Sequence, residues 1–292
     1  MSFLRTPKSL TADILLIIAT FFWGTSFVVV KQLVASIPFH QLILLRFAIA
    51  AIVVFPFVYP HIKQQTNSVI LPSLWLGFTI FAGFTFQTWS MKYTTATQSA
   101  FLTGVSVILV PVFLFFLRHT VASLKLWFCV ILAFLGLGFL SLNAQWQLNY
   151  GDILATICAV SFAFHIIYTS LYTQKYQPLF MLWIQFIMVL IYGGIAYPII
   201  FPEPWVYLTA KQWLGVGYLT LLPTIGCYLT QVYFQKLTDT TRAALIYTLE
   251  PVFAAIISFM LINEMLTIRQ WLGAVLIFSA MVLSELKGKN AG

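Results

Sequence analysis

Long apolar runs separated by short polar segments occupy almost the whole chain, and reading them between charges and turn residues predicts ten helices. Their approximate bounds are residues 13–33, 40–59, 70–91, 94–117, 123–142, 151–173, 178–201, 211–235, 241–262 and 268–286. Each run is close to the ~20 residues that an α-helix needs to cross the hydrocarbon core of a bilayer. Transmembrane strands would instead show alternating segments of about ten residues, and this chain does not alternate. The pattern predicts an all-α polytopic membrane protein.

Composition supports a lipid environment. Of the 292 residues, 61% are apolar and 8% are charged, whereas a soluble domain carries about 25% charged residues. The net charge of +8 by itself would fit a nucleic-acid-binding protein. However, the Lys and Arg residues stand singly between apolar runs and form no patch. We therefore expect the lipid bilayer, and not a nucleic acid, to surround the chain.

The distribution of Lys and Arg predicts the orientation, because cytoplasmic segments of polytopic proteins carry an excess of both. With the N-terminus inside, the inner segments hold ten: Arg5, Lys8, Lys63, Arg118, Lys125, Lys175, Lys236, Arg242, Lys287 and Lys289. The outer segments hold four: Lys31, Lys92, Lys211 and Arg269. We expect both termini to face the cytoplasm of a bacterium, with the protein in the inner membrane. The first apolar run is too long for a signal peptide and should remain as the first span.

The second half of the chain repeats the first. A shift of 139 residues places Asp13 on Asp152, and from helix 3 onward a shift of 144 places Gln87 on Gln231. We therefore divide the chain into two five-helix repeats, residues 1–146 and 147–292. Because five is odd, the second repeat should enter the membrane upside down. Inverted repeats are typical of secondary transporters, which bind substrate near the membrane midplane between the repeats and work by alternating access.

Several short motifs resemble those of a known family. They are Trp23-Gly24-Thr25-Ser26-Phe27 in helix 1, Ser90-Met91-Lys92-Tyr93-Thr94-Thr95-Ala96 after helix 3, Leu249-Glu250-Pro251-Val252-Phe253 in helix 9, and Asn263-Glu264 after it. Their order and spacing, together with ten spans, resemble the drug/metabolite transporter superfamily, EamA type. The resemblance covers essentially the whole chain.

This resemblance implies a ten-helix bundle with a central cavity lined mainly by helices 1, 3, 4, 6, 8 and 9. It also implies export or exchange of small metabolites such as amino acids. Two departures separate the repeats: Phe162-Ala163 stands where the first half has Trp23-Gly24, and Thr120 stands where the second half has Glu264. The identity of the substrate therefore does not carry over from the family.

Glu250 is the candidate for coupling transport to an ion. It lies about nine residues into predicted helix 9, near the bilayer centre, where inserting an acid costs roughly 2.5–3.5 kcal/mol. The following Pro251 removes a backbone hydrogen bond and permits a kink. Burial disfavours the charged carboxylate, so one interpretation is a reversible proton or cation site. The other is a protonated structural group at the kink. Its repeat partner is Ser106.

Three other polar residues inside spans allow two interpretations each. Arg46, in helix 2, is expected to be structural, because Arg can snorkel or bond neighbouring carbonyl groups and the resemblance places helix 2 away from the cavity. Gln87 and Gln231 occupy equivalent positions on helices 3 and 8. They either orient a polar substrate in a shared cavity or form helix–helix hydrogen bonds worth about 0.6 kcal/mol each.

The remaining cavity candidates are Thr103, His165 and a set of aromatic residues. His165 has no second ligand at i+3 or i+4, so no metal site is expected. It is either a hydrogen-bonding or titrating cavity residue or a buried structural one. The aromatic candidates are Trp23, Trp89, Tyr168, Tyr228, Tyr233 and Tyr247, although most aromatic residues of such a chain pack helices or lie at the membrane interface.

The sequence favours a secondary transporter of small polar or amphipathic metabolites, possible alternatives being an uncoupled facilitator, an intramembrane enzyme or a structural subunit. The enzyme alternative is weakened because the chain lacks H-E-x-x-H, G-x-S-x-G and any pair of intramembrane acids. A structural subunit would need no aqueous cavity. No nucleotide-binding motif occurs, so we expect no cofactor. The substrate, the direction of flux and the oligomeric state are left open.

Overall fold

The computed structural model describes residues 7–64, 67–118, 124–141, 149–237 and 246–285, and the regular structure in these ranges is helical. The α-helices are α1 (Pro7–Leu33), α2 (Phe39–Val58), α3 (Ile70–Ser90), α4 (Ala96–Gly104), α5 (Ser106–Arg118), α6 (Leu124–Ser141), α7 (Tyr150–Tyr172), α8 (Pro178–Ile200), α9 (Ala210–Leu219), α10 (Cys227–Phe234), α11 (Glu250–Ile262) and α12 (Ile268–Glu285). A π-helix, Thr220–Gly226, joins α9 to α10. Short 3-10 segments lie at Tyr59–Gln64, Asn67–Val69 and Gln235–Leu237.

Within the described part of the chain, seven helical segments are long and apolar enough to cross a membrane. They are Leu10–Leu33, Phe39–Val58, Ile70–Ser90, Ala96–Leu117, Tyr150–Tyr172, Pro178–Ile200 and Ala210–Phe234. Three further apolar helices are shorter within the described residues: Trp127–Leu140, Glu250–Ile262 and Ile268–Leu283. These correspond to predicted helices 5, 9 and 10, whose predicted ends lie partly outside the described residues. The prediction of a helical membrane protein is confirmed, and the count of ten spans stays a prediction.

Two helices that the sequence predicted as continuous are interrupted. Predicted helix 4 is divided at Val105 into α4 and α5, and α5 contains Pro111. Predicted helix 8 contains the π-helix, with Pro223 inside it. Proline has no N–H to donate to the preceding turn and its ring crowds that turn, so the local winding changes. The prediction of unbroken helices was wrong at these two places.

The interruptions of the two halves correspond. Helix α5 begins at Ser106, and α11 begins at Glu250 with Pro251 in its first turn. These two starting residues are related by the repeat shift of 144. Glu250 therefore does not lie in the interior of a continuous helix, as the sequence predicted, but at the N-terminus of a half-helix.

Equivalent helices of the two halves run antiparallel where they touch. Trp183, early in α8, donates a hydrogen bond to the carbonyl oxygen of Ala51 late in α2 (3.0 Å). Gly193, late in α8, packs on Leu44 early in α2. Because later residues of α8 meet earlier residues of α2, the two helices point in opposite directions.

One close backbone approach between the halves joins α6 to α12. A Cβ atom at Gly136 would lie 2.8 Å from the carbonyl oxygen of Gly273, and one at Gly273 would lie 2.7 Å from that of Gly136. Farther along α6, the carbonyl oxygen of Gly138 accepts a hydrogen bond from Arg269, which precedes Gly273 in α12 (3.3 Å). These two helices also run antiparallel. Their glycines allow two backbones to meet without side chains between them.

A carboxylate from the second half caps a helix of the first half. Asn263 adopts the left-handed conformation (φ 52°, ψ 33°) and ends α11, as residues at helix C-termini often do. The next side chain, Glu264, accepts hydrogen bonds from the backbone N–H groups of Ala96 (3.0 Å) and Thr97 (2.8 Å) at the start of α4. The C-terminal end of α11 thus contacts the N-terminal end of α4, so this pair is antiparallel too.

The same end of the molecule is closed by further polar contacts, which together with the Glu264 cap we call the sealed end. Lys31 donates to the carbonyl oxygens of Met91 (2.7 Å) and Thr94 (2.8 Å). Asp152 accepts from the Thr94 hydroxyl (2.6 Å) and from the amide of Gln98 (3.0 Å). These contacts tie α1, the α3–α4 connection, α4 and α7 together.

Candidate functional site

A cavity of about 80 Å³ lies between the two halves, beside the starts of α5 and α11. Its polar and charged lining residues are Ser26, Arg46, Gln87, Thr103, Ser106, His165, Gln231 and Glu250. Its aromatic lining residues are Trp23, Phe27, Phe84, Phe162, Tyr228 and Tyr247, and Gly104, Val107 and Ile166 complete the wall. These residues come from α1, α3, α4, α5, α7, α10 and α11, from α2 through Arg46, and from the segment before α11 through Tyr247.

Glu250 is the acidic residue of the cavity wall. Its carboxylate has no hydrogen bond or ion pair with any residue that the structure describes, and it faces the cavity from the first residue of α11. The N-terminus of a helix carries a partial positive charge, which favours a carboxylate there. Helix α1 passes close to this point. A Cβ atom at Gly24 would lie 2.9 Å from the carbonyl oxygen of Glu250. Ser106 provides a hydroxyl at the equivalent start of α5.

Arg46 contributes the positive charge, which corrects two expectations. The sequence analysis placed helix 2 away from the cavity and gave Arg46 a structural role, but the long side chain reaches the cavity wall. Its Nε donates to the hydroxyl of Thr224 in the π-helix. Its guanidinium carbon lies 4.7 Å from the centre of the Phe84 ring. These contacts with α3 and the π-helix direct the side chain inward from α2.

The two glutamines predicted as a pair both line the cavity. The Gln87 amide lies 3.5 Å from the Thr103 hydroxyl, at the limit of a hydrogen bond. Gln231 is buried on α10. Neither amide is bonded to the other among the described residues, and the two roles offered for them, a substrate contact or a helix–helix hydrogen bond, both stay predictions. Both amides are placed where they can contact a bound solute.

Three aromatic side chains form one wall. The Trp23 ring lies edge-on to Tyr228 (5.7 Å between centroids) and to Tyr247 (5.6 Å). The Trp23 indole N–H donates to the carbonyl oxygen of Pro223 (2.9 Å), which belongs to the π-helix. The Tyr247 hydroxyl donates to the side chain of Gln235 (3.2 Å). Because these polar atoms are engaged, the rings have fixed orientations, and aromatic faces of this kind accept apolar or cationic groups.

His165 combines the two interpretations offered for it. The buried side chain lines the cavity. Its Nε2 lies 3.1 Å from Gln185 Oε1 and 3.3 Å from the Thr169 hydroxyl. The ring also packs edge-on against Tyr228 (6.0 Å). It is therefore both a cavity residue and a hydrogen-bonded one.

Three of the aromatic candidates lie outside the cavity lining. Trp89 follows Gln87 by two positions and so projects from another side of α3, where it packs on Phe201 (4.9 Å). Tyr168 lies one turn beyond His165 and stacks on Tyr172 (5.7 Å). Tyr233 is 36% exposed on the outside of α10. The expectation that these three line the cavity was wrong, because the sequence of an apolar helix does not indicate which way an aromatic side chain points.

Sequence reasoning missed several wall residues. Phe162 had a signal, because it occupies the repeat position of Trp23. It reaches α3 at Gly83, where a Cβ atom would lie 2.5 Å from the Phe162 ring. Ser26 lines the cavity one turn after Trp23 and donates to its carbonyl oxygen (2.6 Å). Nothing in the sequence distinguished Phe84 from the other 27 phenylalanines.

Comparison with known proteins places this architecture in one family. The model of the EamA-like transporter family matches residues 10–142 and again residues 149–286. An uncharacterized transporter of Archaeoglobus fulgidus is 30% identical over 287 residues, covering 96% of this chain and 87% of that protein. The uncharacterized transporter YdfC of Bacillus subtilis is 23% identical over 279 residues, covering 91% and 88%. A crystal structure with 16% identity superposes with a TM-score of 0.68 over 94% of this chain and 97% of the other. The chain is an integral membrane protein that belongs to the EamA-like transporter family.

Proposed function

We propose that this protein is a secondary transporter that carries small polar or amphipathic metabolites across a bacterial inner membrane by alternating access of the central cavity. The observation that carries the proposal is the position of the cavity. Polar and ionisable side chains line it where α5 and α11, equivalent helices of the two halves, begin. Interrupted helices around a site between repeats are a recurring design of secondary transporters.

The antiparallel helix pairs support an inverted arrangement of residues 1–146 and 147–292. Helices α2 and α8, and α6 and α12, are equivalent by the sequence repeat, and each pair runs in opposite directions. The remaining large contacts also exchange under the repeat, because α3 packs on α7 while α1 packs on α10, and α1 packs on α11 while α7 packs on α4 and α5. Ten spans in two inverted repeats fit this pattern.

The sealed end would face the outside if both termini are cytoplasmic. We expect Glu203→Cys, in the exposed segment after α8, to react with a membrane-impermeant maleimide in intact cells. Lys175→Cys, between α7 and α8, should react only after permeabilisation. Cys129, Cys158 and Cys227 are buried, so the background should be low. Labelling in the reverse order would contradict the orientation.

Transport itself is tested in liposomes. Purified protein is reconstituted into vesicles loaded with a metabolite extract, and the released compounds are identified by mass spectrometry against protein-free vesicles. We expect selective release of a few small polar compounds. Equal release from both kinds of vesicle would remove the proposal, and a structural role would then be favoured.

Coupling to protons is the finer part of the proposal and rests on Glu250. A carboxylate without a protein partner at a cavity wall can take up a proton when the cavity is open to one side and release it on the other. The alternative is an uncoupled facilitator with the same fold. The two are separated by imposing a pH gradient on the loaded vesicles, because only the coupled carrier would accumulate substrate against its own gradient.

A further inference from the structure

The inference concerns the Arg46 guanidinium, which stands at the cavity wall with its outer edge unused. The side chain is 3% exposed. Among the described residues that line the cavity, Arg46 is the one Lys or Arg. A residue of this type deep in a helical bundle calls for a partner, because a buried charge is strongly disfavoured unless it is paired and hydrogen-bonded.

The side chain is held firmly at its base. Nε donates to the Thr224 hydroxyl, and Thr224 in turn donates to the carbonyl oxygen of Leu219 (2.8 Å). The Phe84 ring covers one side of the guanidinium plane. At the backbone of Arg46, the carbonyl oxygen accepts a long hydrogen bond from Thr220 (3.4 Å). Thr220 and Thr224 both belong to the π-helix, so this local winding positions Arg46.

The outer edge of the guanidinium is left for a ligand. The Nε of Arg46 is hydrogen-bonded to Thr224. The two terminal guanidinium nitrogens have no hydrogen bond to any of the described residues. Glu250 lines the same cavity, but its carboxylate is not within the 4.0 Å of an ion pair with Arg46. The two parallel N–H groups of an arginine match the two oxygens of a carboxylate in a bidentate pair. The fixed base and free edge are the arrangement that such recognition needs.

We propose that Arg46 binds the carboxylate of the transported solute, which is therefore a small organic acid or zwitterion. The Phe84 ring lies over the guanidinium, and Trp23 and Tyr228 line the same cavity, so these rings offer a surface for an apolar body. This inference rests on the proposed function, since it names the chemical class that the transporter carries. Glu250 is then free to bind a proton and is not required as the permanent counter-ion of Arg46.

The test uses two sets of compounds that share a body and differ only in charged groups. One set is L-phenylalanine, 3-phenylpropanoate and phenethylamine, and the other is L-valine, isovalerate and isobutylamine. Thermal unfolding of the purified full-length protein is followed at pH 7 with each compound. In at least one set, the zwitterion and the carboxylate should raise the midpoint by about 2–4 °C, because a ligand stabilises the fold that binds it. The amine of that set should not.

Variants then locate the effect. Arg46→Gln should abolish the shift that carboxylates cause, and Arg46→Lys, which keeps the charge without the fork, should keep less than half of it. Arg269→Gln is the matched control, because Arg269 bonds Gly138 away from the cavity, and its shift should equal that of the unaltered protein. Should Arg46→Gln fail to fold, the comparison of Arg46→Lys with Arg269→Gln decides the question.

The inference is overturned if no carboxylate stabilises the protein, if amines stabilise it equally, or if the Arg46 variants respond like Arg269→Gln. Its failure is distinguishable from failure of the proposed function. Vesicles that release neutral or cationic metabolites without carboxylates would leave transport intact and remove the role of Arg46. Carboxylate binding that depends on Arg46 in a protein that releases nothing from vesicles would do the reverse.

Discussion

Glu250 and Ser106 occupy equivalent positions at the starts of two half-helices, and only Glu250 can carry a charge. Both side chains line the cavity. Under the proposed alternating access, a proton on Glu250 would remove a charge whose desolvation opposes reorientation of the empty carrier, so protonation would act differently on the two states. This difference is what coupling requires.

Replacing Glu250 with Gln tests this role. The variant keeps the size and the hydrogen-bonding capacity of the side chain but fixes it in the neutral form. We expect it to fold and bind substrate while its transport rate in liposomes no longer changes with pH. Glu203→Gln, which alters an exposed acid, should keep the pH profile of the unaltered protein. An unchanged profile in Glu250→Gln would make Glu250 structural.

At the residue scale, the sequence indicated which residues are chemically unusual better than it indicated where their side chains point. Glu250, Gln87, Gln231 and His165 stood out because polar groups in lipid-spanning helices are costly and have few uses. Arg46 stood out for the same reason, but its reach depends on Phe84 and Thr224, which lie far away in the chain. Contacts of this kind are set by tertiary packing and leave no local pattern.

The cap on α4 is the clearest interaction between elements of the two halves. Glu264 accepts from two of the first N–H groups of α4, which have no partners within their own helix. A carboxylate in this position satisfies the donors and also favours the helix dipole. The cap therefore stabilises α4 and also helps to close the sealed end of the bundle.

We expect Glu264→Gln to weaken this cap. An amide offers one acceptor oxygen and no charge, so the free energy of unfolding should fall by about 0.5–2 kcal/mol. Thermal unfolding of the purified variant measures the effect. Glu203→Gln is again the control, because the exposed pair of Glu203 with Lys92 (3.5 Å) should contribute little. Equal midpoints for the two variants would mean that the cap adds no stability.

At the element scale, helix existence followed from apolar runs, and helix continuity did not. Pro111, Pro223 and Pro251 were visible in the sequence, but whether a proline kinks, widens or ends a helix depends on which neighbours satisfy the freed carbonyl groups. For Pro223, the carbonyl group four residues earlier is that of Leu219, which accepts a hydrogen bond from the Thr224 hydroxyl (2.8 Å). Asn263 was read as part of a family motif. The physical reason for Asn at this position is its left-handed conformation, because the residue that ends a helix in this way is usually Gly and sometimes Asn.

For the whole molecule, the contact of α6 with α12 is a place where the backbones of the two halves meet closely. Gly136→Val would put a branched side chain against the backbone of Gly273, so we expect the free energy of unfolding to fall by about 1–3 kcal/mol, as for other overpacked sites. Gly194→Val is the control, since a Cβ atom there has nothing within 4 Å. Thermal unfolding compares the two variants. If Gly194→Val proves as damaging as Gly136→Val, valine's intrinsic effect on helices would be the cause rather than the interface.

The repeat in the two halves of the chain is the feature of the whole molecule that can be seen in the sequence alone. Matching Asp13 with Asp152 and Gln87 with Gln231 needs no knowledge of packing, because a duplicated segment keeps its polar landmarks in order. The family match to residues 10–142 and 149–286 follows the same division. The shape of the cavity was beyond such reasoning, because it depends on the interrupted helices and on side chains from eight elements.

The unequal pair of Ser106 and Glu250 has a consequence for the resting balance of the carrier. Two identical inverted halves would give inward-open and outward-open forms of equal free energy, with no preference for either. One carboxylate on one half removes that degeneracy. Under the proposed alternating access, the acidity on each side of the membrane would then bias which way the empty cavity faces, so pH would change how readily a solute is met from each side.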